Sequence, residues 1–339
     1  MRSIHLDIAG QRCRIFPDAS IDALREFCVP GNAVIISDKN VWHHHGHKFL
    51  PYRTIEIEPG EEHKTLKTIS GIYGQLCAME IDRSTTIVGV GGGIVCDIAG
   101  FAASTYLRGL PFGFVPTTLL AQVDASVGGK NGVNLEGYKN LIGTFAQPGF
   151  VLCDLSFLRT LPYDELKNGI AEAVKSALIS DRALFEYIED NCKAIISLDR
   201  NVLERIINGC LTIKTDIVSR DEKESGERRK LNLGHTIGHA IEKAGGYRHG
   251  EAVSIGIVAA AKMSEMRGAL SNEDVLRIEA LLASFGLPTR LKSDREAVMD
   301  AVGKDKKRQG TAVRFVFLDG IGNAVIETME IAELEEVLF

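Results

Sequence analysis

Short apolar runs alternate with segments of helical period over the first half of the chain. Two runs, Ile4–Ile8 and Cys13–Phe16, predict a hairpin around Gly10. Further strands are predicted at 34–37, 54–57, 85–90, 112–115 and 151–153, with helices near 19–28, 64–80 and 97–106. Strands separated by helices in this way are typical of a mostly parallel sheet with crossover helices. The pattern therefore predicts an α/β domain.

From about residue 155 the periodicity becomes that of helices. The predicted segments are 163–180, 182–196, 200–220, 233–243, 250–267 and 273–284. Two late β-like runs, 313–318 and 324–328, predict a hairpin across Gly320 and Gly322. The change of pattern predicts a boundary near Leu161-Pro162, between an α/β domain of residues 1–158 and a mainly helical domain of residues 159–339.

Composition narrows the class of protein. The chain has 339 residues, 45% of them hydrophobic and 25% charged, which suits two globular domains. A formal net charge of −6 argues against a general nucleic-acid binder. Its seven cysteines are scattered and contain no C-x-x-C pair, as expected of reduced thiols. Since no signal-like or membrane-spanning apolar stretch is present, we expect a soluble cytoplasmic protein without a membrane partner.

A glycine-rich turn follows one of the predicted buried strands. The segment Val88-Gly-Val-Gly-Gly-Gly-Ile-Val-Cys-Asp97 joins a β-branched strand to a predicted helix. Glycines let the backbone approach a ligand, and free N–H groups at a helix N-terminus favour an anion. This arrangement indicates a site for a dinucleotide pyrophosphate. The usual G-x-G-x-x-G spacing is absent, so a purely structural turn remains an alternative.

Histidines in the second half are spaced as metal ligands can be. His235 and His239 lie four residues apart on a predicted helix, and His249 follows a Gly245-Gly246 break. Imidazoles from neighbouring segments can form a zinc site with an open catalytic position. No Glu directly follows the first His, so zinc peptidase chemistry is not indicated. Ordinary core or surface histidines are the alternative.

A second group of histidines, in Trp42-His-His-His-Gly-His47, is a poor metal site. Consecutive side chains point in different directions on a helix or a strand, so they cannot all reach one ion. A solvated loop or helix face is the preferred interpretation.

Taken together, the motifs resemble those of the 3-dehydroquinate synthases, in the sugar-phosphate cyclase family. The resemblance is collinear from about residue 30 to Lys307. The segments that carry it, besides the glycine turn and the two histidine segments, are Arg108-Gly109, Pro116–Lys130, Lys139-Asn-Leu-Ile-Gly143, Asn168–Lys175 and Asp221–Glu224.

The resemblance implies both a fold and an activity. The implied fold is an N-terminal Rossmann-like, mostly parallel sheet domain and a C-terminal mainly helical metal-binding domain, with the active site in the cleft between them. The implied enzyme is a carbon–oxygen lyase of the shikimate pathway of aromatic amino acid biosynthesis. It converts 3-deoxy-D-arabino-heptulosonate 7-phosphate to 3-dehydroquinate and phosphate. The implied reaction begins with transient oxidation by NAD and phosphate elimination. Re-reduction, ring opening and an intramolecular aldol reaction then complete it.

The same resemblance implies the roles of individual residues. The metal ligands are Glu172, His235 and His249, which replaces the first interpretation of His235 and His239 as a ligand pair. The implied metal is Zn²⁺, although a mixed nitrogen and oxygen site also accepts Co²⁺. Catalytic roles fall to His239, Glu224 and Lys175.

Two larger sets of residues are implied to bind the substrate and NAD. The substrate-binding set is Arg108, Asp124, Lys130, Asn140, Asn168, Lys214, Arg228, Asn232 and Lys306, the last chosen over Lys307. The NAD-binding set is Asp38, Asn40, Glu61, Lys64, Gly92, Gly93, Asp97, Thr117, Thr118, Lys139, Phe157 and Thr160. A homodimer is also expected from the resemblance.

Three alternatives remain at this point. A sibling sugar-phosphate cyclase would use another substrate, because small changes in a pocket switch specificity. A metal-dependent polyol dehydrogenase would release NADH and would not need the cluster of Lys and Arg. A scaffold protein without catalysis is conceivable because fold does not determine function, yet such a protein would tolerate loss of Glu172, His235 or Lys130, and all three are present.

Overall fold

The structure is a computed structural model that describes residues 3–8, 10–291, 308–309, 312–330 and 333. The chain divides into two compact units. Unit 1 comprises Met1–Pro162 and Lys214–Glu222, and unit 2 comprises Tyr163–Ile213 and Lys223–Phe339.

Unit 1 is built on a seven-stranded sheet in the order β1-β2-β9-β6-β5-β3-β4. All neighbouring strands are parallel except β1 and β2, which form the predicted hairpin. The mostly parallel sheet is thus confirmed. The strands of unit 1 are β1 (Ile4–Ile8), β2 (Gln11–Phe16), β3 (Ala33–Asp38), β4 (Arg53–Ile57), β5 (Thr86–Gly91), β6 (Phe112–Pro116), β7 (Lys130–Leu135), β8 (Tyr138–Phe145) and β9 (Phe150–Leu152).

Three α-helices accompany this sheet: α1 (Lys39–His45), α2 (Leu66–Ala78) and α3 (Gly93–Thr105). The helix predicted near 19–28 is a short 3-10 helix, Ile21–Glu26, which Ser20 caps by accepting a hydrogen bond from the Asp22 N–H. A second 3-10 helix, Leu155–Thr160, follows β9, and Ala121–Ala125 forms a π-helix.

The pattern of apolar residues did not predict the hairpin of β7 and β8. These two strands form a separate antiparallel sheet and carry Lys130, Lys139 and Asn140. Their turn consists of Glu136 and Gly137, both with positive φ, as a tight two-residue hairpin requires. The hairpin escaped prediction because polar residues and glycines interrupt its apolar alternation. Its Glu-Gly pair was the available signal.

Unit 2 is mainly helical, as predicted. Its helices are α4 (Tyr163–Ser180), α5 (Arg182–Asp190), α6 (Cys192–Ile196), α7 (Arg200–Arg220, whose last residues belong to unit 1), α8 (His235–Ala244), α9 (His249–Met266) and α10 (Asn272–Ser284). The predicted helix 182–196 is broken at Asn191, which leaves helical geometry. The late hairpin is present as β11 (Ala312–Leu318) and β12 (Ala324–Glu330), with β10 (Arg308–Gln309) beside β11.

Close packing brings helix α3 against the centre of the sheet. A Cβ atom at Gly89 of β5 would lie 2.9 Å from the Cβ of Ala99 on α3 and 3.1 Å from the ring of Phe114. Only glycine therefore permits this separation. The N-terminus of α3, at Gly93, follows the carboxyl end of β5, at Gly91, after one residue. Within the described part of the chain, none of the helices combines the length and apolarity needed to span a bilayer.

Asp154 connects the 3-10 helix Leu155–Thr160 to the distant segment at Ile21, and it offers a test of packing in unit 1. Its carboxylate accepts hydrogen bonds from the Ser156 N–H (2.8 Å) and from the Ile21 N–H (2.9 Å), in a buried position. Asp154→Ala should lower the free energy of unfolding by about 2–4 kcal/mol. The substitution removes the N-cap of the 3-10 helix and leaves the buried Ile21 N–H without its acceptor. Urea titration measures this.

Asp181→Ala is the matched control, since Asp181 caps α5 through the Leu184 N–H alone. We expect a loss of about 1 kcal/mol for this single cap. Equal losses for the two variants would show that the bond to Ile21 contributes nothing.

Candidate active site

The predicted pyrophosphate turn lies between β5 and α3 in unit 1. Helix α3 starts at Gly93, and its N-cap, Gly92, provides no side-chain hydrogen bond to the first turn. A Cβ at Gly92 would lie 3.0 Å from Thr118, and one at Gly93 would lie 3.1 Å from Ala125. The turn at Gly92 and Gly93 therefore leaves a narrow space, named here the glycine cradle, which a side chain at either position would fill. Backbone N–H groups and the helix dipole make such a cradle suitable for an anion.

A charged network stands beside this turn. Lys64 is buried, forms an ion pair with Asp97 on α3, and donates a hydrogen bond to the Asn140 side chain at 2.6 Å. Burial raises the pKa of Asp97, and the positive charge of Lys64 opposes that effect. Four predicted residues, Glu61, Lys64, Asp97 and Asn140, are thus brought together.

Asn134 completes this network, although it is not among the residues predicted from the sequence. Its amide donates to the Glu61 carboxylate at 2.8 Å, and its carbonyl oxygen accepts the Asn140 N–H at 2.8 Å. The left-handed φ of Asn140 (51°) is consistent with this constrained position. Only the unpredicted hairpin turn places Asn134 within reach of both residues.

The remaining predicted nucleotide contacts lie at several positions of unit 1. Asp38 ends β3 and caps α1, accepting the Val41 N–H at 2.9 Å, and burial raises its pKa. Thr117 donates its N–H to the Gly91 carbonyl, and Thr118 caps the following turn. Asn40 and Lys139 are exposed, and Phe157 and Thr160 belong to the 3-10 helix Leu155–Thr160.

Predicted substrate contacts in unit 1 include one buried ion pair. Lys214 pairs with the Asp124 carboxylate, and Lys214 is buried. Lys130 begins β7 and is exposed. Arg108 is also exposed, on a short turn where its φ is 67°. Of these four, the described contacts bring together Asp124 and Lys214.

Glycine contacts between α8, α9 and α4 build the histidine site in unit 2. A Cβ at Gly256 would lie 2.0 Å from the Gly234 carbonyl oxygen, and one at Gly238 would lie 3.2 Å from that of Ala252. Gly250 touches Asn168 of α4 in the same way, and its N–H donates to the Asn168 side chain at 2.8 Å. Helices can approach this closely only where side chains are absent.

This packing brings together the three predicted metal ligands. Glu172 lies on α4, while His235 and His249 are the first residues of α8 and α9. One ligand atom from each lies within 4.8 Å of the other two. Both Nε2 atoms face the Oε1 atom of Glu172, at 3.4 Å from His235 and 3.2 Å from His249. The carboxylate and two imidazoles form a donor set that suits zinc.

The opposite ring nitrogens are held by other acceptors. The Nδ1 of His235 donates to the Leu233 carbonyl at 3.2 Å, and the Nδ1 of His249 donates to the Glu242 carboxylate at 2.6 Å. These bonds fix the ring orientations and leave Nε2 for a metal. Sequence reasoning missed Glu242. Its position seven residues after His235, two helical turns along the same face, was the signal that could have found it.

Burial and neighbouring charges shift the pKa values of all three residues of this cluster. Burial acts to raise the pKa of Glu172, but Lys175 and His249 outweigh it and hold the pKa well below its usual range. Burial acts to lower the pKa of His249, whereas hydrogen bonds to Glu172 and Glu242 raise it to about 9. Burial and the charge of Lys175 keep the pKa of His235 well below its ordinary value. The cluster thus has an ionised carboxylate, a neutral His235 and a protonated His249, whose Nε2 proton is released when a cation binds there.

The other predicted residues of unit 2 surround or flank this cluster. Lys175 is buried and paired with Glu172 one turn away on α4. His239 is exposed on α8 and lies outside the ligand cluster of the described residues, with its ring 5.3 Å from that of His235. Asn232 donates to the Glu224 carboxylate, and Arg228 is buried on the same 3-10 helix as Asn232. Lys306 lies outside the described residues.

Comparison with known proteins decides the family. A profile described as 3-dehydroquinate synthase N-terminal matches residues 54–168, and one described as 3-dehydroquinate synthase C-terminal matches residues 169–308. The chain belongs to the 3-dehydroquinate synthase family. The family member of Geobacter metallireducens is 48% identical over 85% of this chain and 81% of its own length. That of Pelobacter propionicus is 47% identical over 83% and 79%.

Several solved structures are similar to this chain in fold. A 2-deoxy-scyllo-inosose synthase complexed with carbaglucose-6-phosphate, NAD⁺ and Co²⁺ has a TM-score of 0.89 at 29% identity, covering 99% of both chains. The 2-epi-5-epi-valiolone synthase ValA of Streptomyces hygroscopicus, with NAD⁺ and Zn²⁺ bound, has a TM-score of 0.89 at 25% identity, covering 100% of this chain and 98% of its own. A probable glycerol dehydrogenase of Sinorhizobium meliloti shares only the fold, with a TM-score of 0.64 at 17% identity over 95% and 93% of the two chains. The 3-dehydroquinate synthase relatives are markedly more similar in sequence than either sibling cyclase.

The ligand cluster predicts the effect of two carboxylate changes on metal binding. Glu172→Gln removes an anionic ligand and should abolish stoichiometric zinc binding. Glu242→Gln keeps all three ligands but weakens the orientation of His249, so zinc affinity should fall by about 10–100-fold. Zinc content after dialysis and competition with a chromophoric chelator measure both effects.

Glu251→Gln is the control, because Glu251 lies in the first turn of α9 but outside the cluster. Its zinc affinity should equal that of the unaltered protein. Stoichiometric zinc in Glu172→Gln would contradict the ligand assignment.

Proposed function

We propose that the chain catalyses the 3-dehydroquinate synthase reaction, the conversion of 3-deoxy-D-arabino-heptulosonate 7-phosphate to 3-dehydroquinate and phosphate. The observation that carries this proposal is the Glu172, His235 and His249 cluster, formed within a chain that is 48% identical to a member of this family. The proposed small-molecule substrate is a phosphorylated sugar acid.

The donor set supports a resident divalent metal, held by Glu172, His235 and His249. Bound there, Zn²⁺ would supply a Lewis acid that acidifies a substrate hydroxyl. Co²⁺ suits the same nitrogen and oxygen donors. Lys175, paired with Glu172 in a buried position, offsets the charge of the carboxylate and keeps it ionised.

The glycine cradle and its charged network support NAD as the second cofactor. We propose that Gly92 and Gly93 receive the pyrophosphate, since a Cβ at either position would close the cradle. NAD would supply a reversible hydride acceptor. The other proposed contacts are Asp38, Asn40, Glu61, Lys64, Asp97, Thr117, Thr118, Lys139, Phe157 and Thr160.

Cations and amides of the chain suit the anionic groups of this substrate. Arginine binds a carboxylate or phosphate through two donors, and lysine supplies a compact charge. The proposed substrate-binding residues are Arg108, Asp124, Lys130, Asn140, Asn168, Lys214, Arg228, Asn232 and Lys306.

Proton transfer is assigned to side chains that flank these groups. The exposed imidazole of His239 lies one helical turn from His235, and an imidazole exchanges protons readily near neutral pH. Glu224, whose carboxylate accepts a hydrogen bond from Asn232, is the second proposed acid–base residue. A homodimeric cytoplasmic enzyme is also part of the proposal, and light scattering of the purified protein tests its oligomeric state.

Phosphate release tests the proposed reaction directly. Purified protein supplied with the heptulosonate phosphate, catalytic NAD and zinc should release phosphate and form dehydroquinate in equal amounts. NADH should not accumulate, and a chelator should abolish turnover because the metal is required. Net NADH would indicate a dehydrogenase. A protein that binds NAD but leaves this substrate unchanged would indicate a sibling cyclase with another substrate.

Replacement of Lys130 should separate substrate binding from NAD binding. Lys130→Ala removes one charged donor, so kcat/KM for the substrate should fall by about 10–100-fold. The dissociation constant of NAD, measured by calorimetry, should stay unchanged. Lys67→Ala, an equal loss of charge at another exposed position of unit 1, is the control and should alter neither quantity. A selective loss of NAD affinity in Lys130→Ala would contradict the substrate role.

A further inference from the structure

One histidine of the Trp42–His47 segment is not part of a solvated surface. Helix α1 ends at His45, which is buried, whereas His43, His44 and His47 are exposed. The helix-face interpretation of this segment therefore holds for its neighbours, but the His45 side chain points into unit 1.

The His45 ring contacts the 3-10 helix Leu155–Thr160. Its Nε2 atom lies 2.7 Å from the Thr160 hydroxyl, and its ring meets that of Phe157 edge-on, with centroids 4.7 Å apart. The Thr160 hydroxyl in turn donates its one hydrogen to the Phe157 carbonyl at 3.2 Å. With that hydrogen on the Phe157 carbonyl, the hydrogen-bond network assigns the hydrogen of His45 to Nε2, which then donates to the Thr160 oxygen.

Burial keeps this imidazole neutral. Burial, together with the positive charges of Lys48, His44 and His47, lowers the pKa of His45 to about 4. A neutral ring with its hydrogen on Nε2 is therefore the form present at neutral pH. Thr160 is itself an exposed residue, so a buried donor orients the hydroxyl of a residue that lies at the surface.

Helix α1 thereby joins two groups of proposed nucleotide contacts. Its N-terminus is capped by Asp38, and its C-terminal residue, His45, orients Thr160. Lys48, just beyond the helix, adds a contact 4.8 Å from the centre of the Phe157 ring. A ligand that uses both groups binds best when the distance between them is set in advance, because less conformational freedom is then lost on binding.

We propose that His45 is a positioning residue for NAD binding, acting through the Thr160 hydroxyl. This inference rests on the proposed function, in which Phe157 and Thr160 contact NAD. It assigns no catalytic step to His45, and it leaves the metal site in unit 2 unaffected.

Two substitutions separate this role from simple packing. His45→Phe keeps an aromatic ring against Phe157 but removes the donor, whereas His45→Gln loses the ring but retains an amide donor of similar reach. Calorimetric titration of the zinc-loaded full-length protein with NAD is the measurement. We expect the NAD dissociation constant of His45→Phe to rise by about tenfold, and that of His45→Gln by less than about threefold. A packing role predicts the reverse order and would overturn the proposal.

A double-mutant cycle tests whether His45 acts through Thr160. His45→Phe should weaken NAD binding in the unaltered protein but have no further effect when Thr160→Val is already present. Additive losses would overturn the proposal. His47→Leu, which changes an exposed histidine two residues away, should leave NAD affinity unchanged.

The zinc content and the melting temperature identify a variant that is merely unfolded. Should His45→Phe fail to fold, His45→Asn replaces it, because its shorter amide cannot reach the position of Nε2. NAD affinity of folded His45→Asn equal to that of the unaltered protein would overturn the proposal. If the unaltered protein releases phosphate and binds NAD while the variants bind NAD equally well, this inference fails alone. If the unaltered protein does not bind NAD, the proposed function fails as well.

Discussion

The buried carboxylate of Glu172 is the constraint on which the site in unit 2 depends. Its side chain is 1% exposed, and an ionised carboxylate in that position costs several kcal/mol unless opposite charge and hydrogen bonds offset it. Lys175 supplies the charge from the same helix, and the rings of His235 and His249 supply polar contacts from two others. Helices α4, α8 and α9 must therefore all be in place before this carboxylate has its ion pair with Lys175 and its contacts with both imidazoles.

Glycines allow helices α4, α8 and α9 to pack closely enough to surround the Glu172 carboxylate. At Gly250 a side chain would overlap the Asn168 backbone, and at Gly256 it would overlap the Gly234 carbonyl. Gly238, Gly250 and Gly256 are thus required because helices approach closely there, whereas Gly245 and Gly246, with positive φ and no close neighbours, let the chain turn between α8 and α9. The same reasoning applies in unit 1, where Gly89 lets α3 pack closely against β5.

Prediction from the chain alone succeeded where the signal was local. The parallel strands and the helical second half follow from periodicity, and the structure confirms them, whereas α3 begins at Gly93 and not near residue 97 as predicted. It failed at the hairpin of β7 and β8, where glycines and polar residues obscure the alternation. Asn134 also escaped prediction because nothing in its own neighbourhood marks it, and the solvated interpretation of the Trp42–His47 segment was wrong for the buried His45.

The chain by itself determined the order of elements, the glycine cradle and the kinds of side chain available for metal and anion binding, because each depends on neighbours within a few residues. Spacing alone favoured His235 and His239 as a pair, since both lie on one helix face. Only the tertiary structure brings Glu172 to His249, 77 residues away, and leaves His239 exposed. Likewise it buries His45 against Thr160, 115 residues away. Contacts at such separations depend on how helices and strands pack, which no local pattern encodes.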